Sequence, residues 1–91
     1  MGYLTIYPQT GLQKIQQVAG GDETGVGVDI TVAGMLATDG LYAVFMCDAA
    51  YVMTETRPLT DFTCGAGVLT VVANATDRTG EFYTIIWQDV T

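Results

Sequence analysis

Residues 26–33 read Val-Gly-Val-Asp-Ile-Thr-Val-Ala. Val26, Val28, Ile30 and Val32 alternate with Gly27, Asp29, Thr31 and Ala33, so an extended chain here has one apolar side and one small or polar side. A period of two marks a strand that buries one face, the usual state of strands in an antiparallel sheet. Downstream, residues 34–40 (Gly-Met-Leu-Ala-Thr-Asp-Gly) read as a connection, with room for one helical turn over 35–38 and with Gly40 as the expected positive-φ residue. Residues 41–47 (Leu-Tyr-Ala-Val-Phe-Met-Cys) are apolar on both faces, as in a central strand covered on each side.

The rest of the chain continues the pattern. A short strand is expected over 50–54, broken at Arg57-Pro58 because the residue before proline is held extended. Residues 59–63 read as a short edge strand, 65–67 as a turn and 68–73 (Val-Leu-Thr-Val-Val-Ala) as a strand. A polar loop over 74–80 leads to the last strand, 81–88, whose alternate faces are Phe82, Thr84, Ile86 and Tyr83, Ile85, Trp87. On the N-terminal side, 20–25 is a loop by composition. Residues 11–19 mix helical spacing with flanking glycines and read as an irregular strand. Residues 3–7 (Tyr-Leu-Thr-Ile-Tyr) are strand-like up to Pro8. The expected fold is all-β: a small antiparallel β-sandwich, or barrel-like closure, of six to seven strands. Residues 1–20 read as an N-terminal arm or edge strand, and 21–91 as the sandwich domain.

Composition narrows the function. Ninety-one residues, 49% apolar and 14% charged, suit one domain, and the apolar content excludes disorder. No apolar run reaches the roughly 18 residues a membrane helix needs. Three cations (Lys14, Arg57, Arg78) against ten acids give a net charge of −7. So few scattered cations cannot neutralise phosphates, which argues against nucleic acid and anionic membranes as partners. Histidine and serine are both absent, which excludes a Ser-His-Asp triad and Cys-His catalysis. Two cysteines without histidine cannot build a four-ligand zinc site. Acid pairs such as Asp22–Glu23 remain, but none lies in an apolar run beside a partner that would shift its pKa. The chain reads as non-enzymatic and without a cofactor. Met1-Gly2-Tyr3-Leu4-Thr5 lacks leader character, so the expectation is a reducing compartment with Cys47 and Cys64 as free buried thiols; one disulfide between them is the alternative.

Several short motifs have plain readings. Asn74-Ala75-Thr76 matches a glycosylation acceptor but reads as a turn, and Gly25-Val26-Gly27 and Gly65-Ala66-Gly67 read as turn or bulge glycines because neither opens a helix. The acids cluster at strand ends without the spacing of a calcium loop and read as turn residues. Met35, Met46 and Met53 read as core filling, and Trp87 as a core or interface anchor rather than a sugar platform. Two strands, 41–47 and 81–88, are apolar on both faces. Their second faces need cover, and the poverty in lysine with enrichment in aromatics and methionine is the composition of an interface core. A homo-oligomer or permanent attachment to a larger assembly is expected; the alternative is a barrel-like closure that puts both faces inside one chain.

The stretch from Val28 through Ala43 joins an alternating strand, a Gly-x-Leu-Ala-Thr-Asp turn and an apolar strand; Val-Leu-Thr-Val and an aromatic-aliphatic strand follow. Over residues 26–91 this arrangement resembles the small capsid decoration (cement) proteins and related virion structural proteins of tailed bacteriophages. The resemblance implies a protein on the outside of an icosahedral head. It would be made in the host cytoplasm and bound to the major capsid (coat) protein and to itself, with a trimer as the expected oligomer. It also implies an arm that adds a strand to a neighbour or lies on the coat lattice. Tyr3, Ile6 and Tyr7 are then the arm's anchors, and Phe82, Tyr83, Ile85 and Trp87 the candidate contacts between subunits. The alternative is a carbohydrate- or protein-binding β-sandwich module of a fibre or adhesin.

Overall fold

The computed structural model describes residues 12–25 and 27–89. It is all-β, with seven strands: β1 (Leu12–Ala19), β2 (Asp29–Thr31), β3 (Gly40–Cys47), β4 (Met53–Arg57), β5 (Phe62–Gly65), β6 (Val68–Val71) and β7 (Phe82–Asp89). They form two antiparallel sheets, one of four strands in the order β1-β7-β3-β4 and one of three in the order β2-β6-β5. The pair is a sandwich with open edges rather than a closed barrel. The core lies between the sheets: Val32, Val44, Met46, Leu69, Val71 and Ile85 are wholly enclosed, with Met35, Tyr83 and Trp87 packed among them.

The alternation that announces β2 is present in the burial of its side chains. Ile30 and Val32 are buried while Asp29, Thr31 and Ala33 are exposed. The paired strand is nonetheless only three residues long. Gly27 N–H donates to Val71 O, and Val71 N–H donates to Val28 O, so two residues face one. This bulge, with positive φ at Gly27 and at Gly34, ends the regular ladder on both sides. The positive φ expected at Gly40 falls at Gly34 instead.

Other expectations are corrected by local hydrogen bonding. Residues 35–38 form no helical turn. Asp39 N–H donates to Leu36 O, and the Asp39 carboxylate accepts from Leu36 N–H, which closes a tight turn over 36–39. The strand expected over 50–54 starts three residues later, at Met53. Asp48 Oδ1 accepts from the N–H groups of both Ala50 and Val52, and Tyr51 has φ 62°, so 48–52 is a turn. Residues 59–61 form a single 3-10 turn after Pro58, and the edge strand β5 begins at Phe62. Residues 12–19 are not irregular: all eight pair with β7 without a register shift, as an edge strand. The loop after β1 is held by a close approach. A Cβ at Gly20 would collide with the carbonyl oxygens of Arg78 and Glu81, so no other residue fits without moving backbone.

Candidate interaction surface

The register of the four-stranded sheet sorts its side chains. Val44, Met46, Tyr83, Ile85 and Trp87 face the core. Alternation then sends the intervening positions outward. Read across the sheet, the pairing lines them up in rows: Gln13, Gln88 and Gly40; Ile15, Ile86 and Ala43; Gln17, Thr84, Phe45 and Thr56; Ala19, Phe82, Cys47 and Met53. None of these residues is charged. The sheet's four charged residues, Lys14, Glu55, Arg57 and Asp89, all lie in the inward register, opposite Trp87, Met46, Val44 and Leu12. In a chain of net charge −7, one whole face is therefore neutral.

Much of that face is apolar and open. Ile15 is 65% exposed, at the middle of an edge strand, and Met53 is 56% exposed. Phe45, Phe82 and Ile86 are half-buried. The turn over 48–52 adds Tyr51, 61% exposed, whose ring meets Phe82 at 5.9 Å between centroids. Tyr42, exposed beside the bulge between Leu41 and Ala43, lies at the rim. Polar contacts on the face include Gln17 Nε2, which donates to Thr84 Oγ1 at 3.2 Å, and Cys47 Sγ, 3.3 Å from the same hydroxyl. An exposed apolar patch of this kind is the usual mark of a protein contact.

The sites expected from the sequence divide. Phe82 belongs to the outward face. Tyr83, Ile85 and Trp87 do not: each is 2% exposed or less, because β7 is an inner strand and their face is the core. They are corrected from candidate subunit contacts to core residues. Tyr3, Ile6 and Tyr7 lie outside the described residues. Ile15, Phe45, Tyr51 and Met53, exposed or half-buried on this side, were not among the expected contacts. Phe45 was legible in the two-faced apolarity of 41–47. Met53, read as core filling, is exposed instead because its turn delays β4.

A cluster of buried charge lies on the opposite side, inside the fold. Arg57, at the end of β4, donates from Nη1 and Nη2 to the two oxygens of Glu23 at 3.1 Å each and from Nε to Asp61 at 3.3 Å. Its guanidinium lies 4.8 Å from the centre of the Phe62 ring. Tyr83 Oη donates to Glu23, and Asn74 Nδ2 donates to Asp61 at 2.7 Å. Burial is the largest single influence and opposes the charge on Arg57, but its hydrogen bonds to Glu23, the attraction of that carboxylate and the hydrogen bond to Asp61 together outweigh it, and its pKa is raised. Burial, then the Glu23 contact, drives the Tyr83 phenol well above its usual range. Arg57, Glu23 and Asp61 are each 2% exposed or less. The cluster ties the loop at Glu23 to β4, β7 and the 3-10 turn.

The remaining candidates are structural too. Asp22, Asp48 and Asp77 accept hydrogen bonds from backbone N–H groups two residues on, as turn formers do. Among the described residues, no group of three or more acids and cysteines could hold a metal ion. Cys47 is buried and Cys64 half-buried, and both are free. The Asn74 amide is engaged by Asp61 within the fold. A cleft of about 260 Å³ opens between β1 and β2, lined by Val18, Asp22, Glu23, Ile30 and Tyr83, but the polar atoms of Glu23 and Tyr83 are already paired with each other and Arg57. No helix is long and apolar enough to cross a membrane among the described residues. Comparison with protein-family models, with curated proteins and with solved structures finds no match.

Proposed function

We propose that this chain is a non-enzymatic virion structural protein of the capsid decoration (cement) type, which binds the outside of the head lattice and stabilises it. One observation carries the reading: the outward face of the four-stranded sheet is neutral and partly apolar, while every charged residue of that sheet belongs to the other register. Such a face adheres to a protein surface. With three cations in the whole chain, it is not suited to nucleic acid or an anionic membrane. In this reading the coat protein covers Phe45, Phe82, Met53 and Tyr51, and many weak copies on one lattice give a tight overall hold. The two-sheet frame and the buried Arg57 cluster support a structural role in place of turnover.

The test is co-sedimentation with icosahedral heads that lack a decoration protein. The expected result is binding at fixed stoichiometry, lost in Met53→Asp and Phe45→Asp. Failure to sediment, or binding that both variants retain, overturns the reading. A second reading, a protein-binding module of a fibre or adhesin, is favoured by the same face and by the exposed Tyr42 and Tyr51. Its carbohydrate-binding form loses support because Trp87 is enclosed in the core. Retardation on a polysaccharide gel without binding to heads would restore that form.

A further inference from the structure

The sandwich has four edge strands, β1 and β4 in one sheet and β2 and β5 in the other. An edge strand offers unpaired N–H and C=O groups, and proteins protect such edges by shortness, charge, proline or bulges. Three of the four are protected here. β2 has three residues and β5 four. β4 carries Glu55 and Arg57, has an irregular register near Met53 and stops at Pro58. β1 is different. It is eight residues long, has no register shift and contains one charge, Lys14, which is paired with Asp89 of the same sheet at 3.3 Å. Among the described residues nothing pairs with its free side. Every second residue of an antiparallel strand turns both backbone groups away from its partner, so β1 presents a regular ladder of open donors and acceptors.

We infer that the free edge of β1 pairs antiparallel with β1 of a second copy, about a two-fold axis at Ile15, to make one continuous eight-stranded sheet. The sequence of β1 is self-complementary in that register. Ile15 faces Ile15, Gln13 faces Gln17 and Lys14 faces Gln16, so apolar meets apolar, amide meets amide, and no like charges stand directly opposite. Charge selects the same edge. Two chains of net charge −7 repel over most of their surface, whereas β1 and the outward rows beside it are neutral apart from the compensated Lys14–Asp89 pair. The pairing also accounts for Ile15, an isoleucine 65% exposed at the centre of the strand. It doubles the neutral outward face, because Ile15 and Ile86 lie in the same row. An isologous edge contact closes as a pair, unlike the trimer that the cement-protein resemblance implies. The inference stands apart from the capsid reading, since it concerns copies of this chain and no coat protein.

The test uses the full chain in solution. Light scattering gives twice the chain mass for the unaltered protein. Ile15→Lys, which sets two ammonium groups against each other at the axis, weakens self-association by about tenfold or more. A second variant reports geometry. Residues directly opposite in an antiparallel pair have Cα atoms about 4.5–5.5 Å apart, within reach of a disulfide. Ile15→Cys with Cys64→Ala therefore cross-links to a dimer on mild oxidation, while Thr31→Cys in the same background, on the β2 edge, does not. A monomer at all concentrations overturns the inference, including the case where residues 1–11 of the same chain cover the edge. A trimer, or a dimer that survives Ile15→Lys and fails to cross-link through position 15, overturns it equally.

Discussion

The two faces of the four-stranded sheet reverse the common arrangement of charge. Its inward register contains Arg57, clasped by Glu23 and Asp61 at 2% exposure or less, together with Lys14, Glu55 and Asp89 nearer the margins. Its outward register contains no charge and leaves Ile15 and Met53 open to water. The inner face tolerates the charge because each group is satisfied: the guanidinium has two carboxylates and an aromatic ring, and each carboxylate has a further donor, Tyr83 or Asn74. The outer face has no such internal reason for its composition. The contrast separates the charges that tie the fold together from the uncharged side chains that the sheet presents outward.

The sharpest way to break the comparison is to remove the central cation. Arg57→Met leaves Glu23 and Asp61 buried without their partner, at an expected cost of about 3–5 kcal/mol, read as a fall in the urea midpoint. Adding Glu23→Gln and Asp61→Asn to that variant recovers part of the loss, because the stranded charges are gone. A small effect of Arg57→Met alone would mean that the cluster is hydrated and that the inner face does not depend on it.

A finer comparison uses two adjacent isoleucines. Ile85 is wholly enclosed and Ile86 half-buried on the opposite side of the same strand. Ile85→Ala is expected to cost about 2–5 kcal/mol. Ile86→Ala is expected to cost about 1 kcal/mol or less in the isolated chain, since little cavity forms at an open face. Equal costs measured by denaturant unfolding would show that the outer face is covered in solution.

The smallest effect tests charge at the margin. Arg78 donates to both oxygens of Glu55, at 2.7 and 3.3 Å, and that hydrogen bonding holds the Glu55 carboxyl below the ordinary glutamate range. Folded protein therefore binds this proton less readily than unfolded protein. The contribution is complete above the ordinary glutamate pKa of about 4.3 and fades as pH falls through the lowered value. The Glu55 carboxylate is solvent-exposed, so the pair's worth is under about 1 kcal/mol. Glu55→Gln should slightly flatten the acid limb of a stability profile and leave stability near neutrality lower by a similar amount.

Much of the fold was legible because alternation is a local property. Tyr83, Ile85 and Trp87 alternate with Phe82, Thr84 and Ile86, and both the strand and its two faces follow. The turn over 48–52 was less legible, since Asp48 accepts hydrogen bonds two and four residues away and overrides the strand character of Tyr51 and Val52. The face assignment was least legible. Period-two patterning divides a strand into two sides without saying which is inside when both are apolar, and the side holding Tyr83, Ile85 and Trp87 was assigned to contact when it is core. Ile15 was hidden because Leu12, Ile15 and Val18 have helical spacing, and only pairing with β7 fixes it on the outward side.

By itself the sequence determined an all-β chain with alternating strands, glycine- and aspartate-rich turns, a strong acidic balance and no residues for histidine or serine catalysis. Those are properties of neighbouring residues and of composition. Tertiary structure decided which apolar face is enclosed, which cations are buried and which strands lie at the sheet edges. Arg57 meets Glu23 across 34 positions and β1 meets β7 across about 70, and such long-range pairings depend on how the sheets stack, which no local pattern encodes.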